Sequence, residues 1–199
     1  MQSGCIAPGC TSSRGPGSVF CDSHVRAPSG QRGGWLSAYR RRQKMGSSAT
    51  EPLDASNVTK RLWIGGAPPF ERDLPEFDVL VLCAAELQPQ RLAFARRVLR
   101  CPLPDAHLER AELNRAIVTA RGVAQSLAGG HRVLVTCAQG RNRSAFVTGL
   151  AMGMLFEASA QQIIHTIRSR RRADCLTNPH FVALLERVVG QMQRARGVS

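Results

Sequence analysis

Lysine is nearly missing from this 199-residue chain: Lys44 and Lys60 are the only two among 27 basic residues. Acidic residues are also few, 14 in all, and the formal net charge is +13. The balance favours polyanions: phosphorylated substrates, nucleic acid or an acidic surface. The codon usage of a GC-rich genome would give the same arginine excess. A long hydrophobic run is absent too. The longest apolar stretch, residues 145–156, falls short of the ~20 residues that a membrane-spanning helix needs. The N-terminus has no signal-peptide core, because Cys5, Pro8, Gly9 and Cys10 stand where an apolar segment would be. No internal repeat is present. These absences point to a soluble, cytoplasmic protein. In a reducing compartment seven cysteines signal metal binding or catalysis before disulfides.

What is present suffices for one packed domain and an appendage, since 43% of the residues are hydrophobic. The expected division is a metal-binding module over residues 1–25, a basic flexible linker over 26–57 and a catalytic-type domain over 58–199. The linker is rich in Gly, Ser and Arg and holds one candidate basic helix, "WLSAYRRRQKM". From Thr59 the texture becomes globular. "RLWIGG" reads as a strand ending at a glycine turn, and "FDVLVLCAA" as a fully apolar strand. Residues 91–99 read as helical, and "CPLPD" as a proline-rich loop after a short strand. Helical periodicity over 107–128 stops at Gly129 and Gly130. A strand over 131–136 follows, then helices over 144–156, 159–172 and 178–194, the last with Pro179 in its first turn. Strands alternating with helices predict an α/β fold with a mainly parallel central sheet flanked by helices.

The stretch "VTCAQGRNRSA" carries the chemistry. Cysteine with arginine six positions on is weak evidence in so arginine-rich a chain. The context strengthens it: an apolar strand feeds Cys137, Gly140 sits mid-loop, and a helix begins where the loop ends. Successive backbone N–H groups of Ala138, Gln139, Gly140, Arg141 and Asn142 can then converge on one anion at a helix N-terminus. Arg143 would return to the loop centre and grip two oxygens in a fork. Cys137 at the bottom of such a cradle is favoured as thiolate, with a pKa of roughly 4–7. Asp105 is the candidate acid for a leaving oxygen, with Glu109 and Glu112 nearby as alternatives.

"CPLPD", "HRVLVTCAQGRNRSA" and "IRSRRRADCLTNPHFVALL" together resemble the cysteine-based phosphatases of the dual-specificity type, and so do "LWIGG" and "VLVLCAAE". The likeness covers residues 59–192. It implies Cys137 as nucleophile, Arg143 as phosphate clamp, Asp105 as general acid and Ser144 as the group that helps the thiolate leave. Asn178 matches a family asparagine near the loop. No cofactor is implied for catalysis. Thr136 departs from the pattern, which usually has histidine there, and this puts the acidity of Cys137 in doubt. Arg141 suits a second anion, so a phosphoprotein, a polyphosphate or an RNA 5′ end all remain open, and "GRNR" faintly resembles RNA triphosphatases of the same superfamily. Two further alternatives are an inactive phosphate- or nucleic-acid-binding module and a rhodanese-like sulfur transferase. "LCAAE" resembles a stretch of the superfamily's lipid-phosphatase branch, in which a cysteine can bond the nucleophile, so Cys83 is the candidate redox partner of Cys137.

Cys5, Cys10, Cys21 and His24 have the spacing C-x4-C-x10-C-x2-H. Two ligand pairs separated by a loop suit tetrahedral zinc, which would supply the folding energy that so short a segment lacks. The segment resembles small zinc-ribbon or knuckle modules of nucleic-acid enzymes. The basic stretch behind it is a candidate contact for nucleic acid.

Overall fold

The computed structural model describes residues 52–93 and 96–197. They belong to Ser48–Ser199, the second of two units into which the chain divides. Five strands appear there: β1 (Ala55–Thr59), β2 (Leu62–Gly65), β3 (Val79–Ala84), β4 (Arg97–Leu103) and β5 (Val133–Thr136). Four helices accompany them: α1 (Arg110–Ala128), α2 (Arg143–Leu155), α3 (Ala160–Arg170) and α4 (Pro179–Ala195). The strands form one sheet in the order β1-β2-β5-β3-β4. β1 runs antiparallel to β2, and every other pairing is parallel. The expected mainly parallel α/β architecture is therefore the observed one.

Burial explains the texture of each strand. β3 and β5 lie mid-sheet and are buried at every residue, so they read as the unbroken apolar runs VLVLCA and VLVT. α2 is the central helix. Eleven of its residues, from Arg143 to Gly153, are buried, and it packs against α1, α3, α4 and the sheet. Its contact with α4 is close. A Cβ on Gly149 would stand 2.9 Å from Leu185 Cδ2, and one on Gly153 would stand 2.8 Å from Val189 Cγ2. Phe146 stacks on Phe181 across the same interface, with ring centroids 5.2 Å apart. Elsewhere Leu74, Phe77, Leu80, Leu82 and Leu134 form a cluster, with Trp63 and Phe70 packed against it. α3 opens on a Ser159–Gln162 capping box, and α4 on Asn178 with Pro179 in the first turn.

Three expectations fail, the first being that "CPLPD" is all loop: Cys101, Pro102 and Leu103 are the last residues of β4. Residues 91–99 were expected to be helical, but β4 begins at Arg97. Its Val98 and Leu99 pair with Leu80 and Val81 of β3, so a place on the open sheet edge overrides the helix-forming character of "RLAFARRVL". The linker was expected to reach residue 57, but β1 starts at Ala55, where Asn57 pairs with Trp63.

The parallel arrangement decides where the site can lie. β2, β3, β4 and β5 all end on one edge of the sheet. Gly65, Glu86, Asp105 and Cys137 follow those ends or sit on them, in the crevice where open α/β sheets bind ligands.

Candidate active site

Cys137 is the first residue beyond β5 and is buried. Its backbone N–H donates to Gly65 O at 3.3 Å. From there the chain turns through residues 138–142 and enters α2 at Arg143. Gly140 makes the turn possible with φ of 68°. A Cβ there would lie 2.6 Å from Gly65 C and 2.8 Å from Arg171 Nη2, so no other side chain fits without displacing backbone. Asn142 pins the turn to the later chain: its Oδ1 accepts from Thr177 N at 3.0 Å and Asn178 N at 3.3 Å. Leu176 N donates to Arg141 O at 3.0 Å. Arg171 braces the other side, donating to Asp54 Oδ1 at 2.8 Å and Gln139 O at 3.4 Å.

Burial pushes the Cys137 thiol up, but the net shift is downward. The Arg143 charge, the Ser144 hydroxyl and the backbone N–H groups of Ser144 and Arg141 together outweigh the lost hydration. Ser144 Oγ donates to Cys137 Sγ at 3.3 Å. A thiol held below its ordinary value has the thiolate character that nucleophilic chemistry needs.

Arg143 is 3% exposed, and a residue outside every expectation holds it. Its Nη1 donates to both carboxylate oxygens of Glu86, at 2.7 and 2.6 Å, and to Leu103 O at 3.3 Å. That leaves the opposite edge of the guanidinium open. Nε is buried and has no hydrogen-bond partner, and Nη2 has only Asp105 Oδ2 at 3.9 Å. The open Nε/Nη2 edge has the shape of the fork that takes two oxygens of one anion. In the sequence Glu86 is the acid that follows an apolar strand and ends the stretch "VLVLCAAE", with nothing there to link it to Arg143.

Asp105 stands at the mouth of this arrangement, exposed on the loop after β4. The alternatives are occupied elsewhere: Glu112 accepts from Glu109 N at 2.8 Å, as part of the start of α1. Arg141 is paired at the rim, where Asp174 Oδ2 lies 3.0 Å from its Nη2. Thr136 Oγ1 donates to Val81 O at 2.9 Å in the neighbouring strand and makes no bond to the loop. Asn178 caps α4 through His180 N at 3.0 Å. Cys83 is buried; burial first, then the neighbouring Cys101 thiol, push its pKa well up. Cys83, Cys101, Cys137 and Cys175 are all free. Cys5, Cys10, Cys21 and His24 lie outside the described residues. Among the described residues no group of three or more His, Cys, Asp or Glu is arranged to hold a metal ion, and no helix is long and apolar enough to cross a membrane.

Solved structures share this arrangement of strands and helices. A mouse putative dual specificity phosphatase, crystallised with zinc tungstate, superposes with a TM-score of 0.62 at 22% identity, over 77% of this chain and 97% of its own. Human DUSP28 gives 0.61 at 21% identity, over 73% and 99%. The fold is that of the dual-specificity phosphatases. A human tyrosine phosphatase-like serine/threonine/tyrosine-interacting protein shares this phosphatase fold as well, with a TM-score of 0.57 at 20% identity over 74% of this chain and all of its own. No family model and no curated protein matches the sequence.

Proposed function

We propose that this protein is a cysteine-dependent phosphatase that hydrolyses phosphomonoesters of protein tyrosine, serine or threonine through a cysteinyl-phosphate. One observation carries the reading. The open Nε/Nη2 edge of a buried arginine lies beside a buried thiol whose pKa is held down. The fold alone does not choose catalysis over binding, since one of its owners is named as an interacting protein. An activated nucleophile beside an anion clamp favours catalysis.

In the first step the Cys137 thiolate attacks phosphorus, and an S–P bond forms as the ester P–O bond breaks. The leaving alkoxide or phenoxide takes the proton of the Asp105 carboxyl. Arg143 holds two non-bridging oxygens throughout, fixed from behind by Glu86. In the second step water attacks phosphorus and gives its proton to the Asp105 carboxylate. The S–P bond breaks, phosphate leaves, and the Ser144 hydroxyl stabilises the returning thiolate.

The Arg141–Asp174 pair supports a single-phosphate substrate over an RNA 5′-triphosphate, because the extra cation at the rim is already neutralised. The test compares initial rates on phosphotyrosine, phosphoserine and phosphothreonine peptides with those on triphosphorylated RNA. Peptide turnover well above RNA turnover supports the reading, and the reverse order rejects the protein substrate. Zinc at Cys5, Cys10, Cys21 and His24 rests on spacing alone. Metal analysis of purified protein, with Cys10→Ser and Cys21→Ser as controls, tests it; the expected result is one zinc per chain, lost in both variants.

A further inference from the structure

Beyond the Arg143 contacts to Leu103 O and Asp105, the loop that carries Asp105 is tied to the phosphate-loop scaffold through a histidine. His180 lies in the first turn of α4, two residues beyond Asn178. The backbone N–H of Leu108 donates to His180 Nε2 at 3.0 Å, across 72 residues of sequence. The His107 ring sits against the His180 ring, with centroids 4.1 Å apart. On the other side, Asn178 N donates to Asn142 Oδ1 within the loop at Cys137, and Asn178 Oδ1 accepts from His180 N. A continuous path thus runs from the phosphate loop through Asn142, Asn178, His180 and Leu108 to the segment that holds Asp105.

We infer that His180 is a positioning residue, whose neutral Nε2 holds the acid-bearing loop over the phosphate loop by accepting the Leu108 N–H. It touches neither substrate nor the reacting atoms. The kinetic consequence rests on the phosphatase reading above, but the tie itself does not.

The tie has a pH signature with a definite sign. Only the neutral ring has a lone pair on Nε2, and protonation would set one N–H against another. Burial, then His107 from the acid loop and Arg187 from the same helix, hold the His180 pKa below its ordinary value. The unfolded chain therefore protonates first. The tie is complete above the ordinary histidine value of about 6.5 and is lost as pH falls through the lowered native value. Glutamine at this position offers an amide oxygen in place of Nε2 and does not titrate.

Two measurements test the inference. In the first, NMR of the wild-type protein follows the Leu108 amide against pH. Its shift should track the His180 ring titration and stay flat in His180→Gln. An amide that ignores that titration overturns the tie whatever the protein's activity. The second compares an aryl phosphate with a good leaving group and an alkyl phosphate with a poor one. General acids contribute about 10²–10⁴-fold, so His180→Ala should lose roughly 10–100-fold in kcat/KM on the alkyl phosphate and less than about 3-fold on the aryl phosphate. His180→Gln should restore the alkyl rate and remove the decline that sets in as pH falls through the lowered native pKa of His180. Equal losses on both substrates, or no loss on either, overturn the positioning role. A wild-type protein inert on both substrates while the Leu108 amide tracks His180 would instead reject the phosphatase reading and leave the tie standing.

Discussion

Glu86→Ala removes the carboxylate that receives two of the three Arg143 Nη1 hydrogen bonds. Arg143, 3% exposed, keeps only Leu103 O at 3.3 Å and Asp105 at 3.9 Å. Breaking a buried ion pair by removing one partner costs about 3–5 kcal/mol. Glu86 is 18% exposed, so water can reach the space it leaves, and the loss should fall to about 2–3 kcal/mol. Urea denaturation measures it as a shift in midpoint at unchanged slope. The rate should fall further than the stability, because an unfixed guanidinium no longer presents its Nε/Nη2 edge; misplacement of this kind costs about 10²-fold. The thiol should respond in the opposite sense to the rate. Without the Glu86 charge, the Arg143 field at Cys137 is less compensated, so the thiol pKa moves further down. Iodoacetate alkylation against pH reads it directly. Lower turnover with an equally or more acidic thiol is the expected pair of results. Wild-type stability and turnover in Glu86→Ala, or a thiol pKa that rises, would refute the view that Glu86 fixes Arg143. Glu86→Gln keeps one acceptor and should lie between, at about 1 kcal/mol.

Asp105→Asn should slow alkyl phosphates far more than aryl phosphates with good leaving groups, and should remove the basic limb of the pH–rate profile; equal effects on both substrate types would place the acid elsewhere. Gly140→Ala forces a Cβ to 2.6 Å from the Gly65 backbone at φ of 68°, so strain of about 1–3 kcal/mol should shift the loop and abolish both turnover and vanadate binding, as read by calorimetry. Peroxide should inactivate the protein reversibly through a Cys83–Cys137 bridge, and Cys83→Ser should drive Cys137 to sulfinic acid faster by mass spectrometry; identical rates in the two proteins would leave Cys83 as core alone.

The chemistry around Cys137 was legible because it is contiguous. Strand, turn glycine, arginine and helix start all fall within one stretch, and each leaves a local signature. β3 and β5 were legible because burial on both faces leaves no room for polar residues. Glu86 was not, because its meaning depends on Arg143, 57 residues later. The partners of Arg141 and Leu108 are equally remote, Asp174 in one case and His180 in the other. β4 was misread because an edge strand exposes one side. Its Arg97 and Arg100 are exposed and only Cys101 and Leu103 are buried, so the alternation that marks a strand never forms. β1 is short, and only Val58 among its five residues is buried.

The central claim is that phosphate passes through the Cys137 sulfur. Protein mixed with excess aryl phosphate and quenched rapidly in acid should yield, by mass spectrometry, a peptide carrying one phosphoryl group on Cys137. The adduct should accumulate further in Asp105→Asn with a good leaving group, because the hydrolytic water then lacks its base. Cys137→Ser should show neither adduct nor turnover while still binding vanadate through Arg143 and the loop amides. Turnover that persists in Cys137→Ser, or a wild-type protein that hydrolyses phosphate esters while Cys137 stays unmodified at every quench time, would contradict the account.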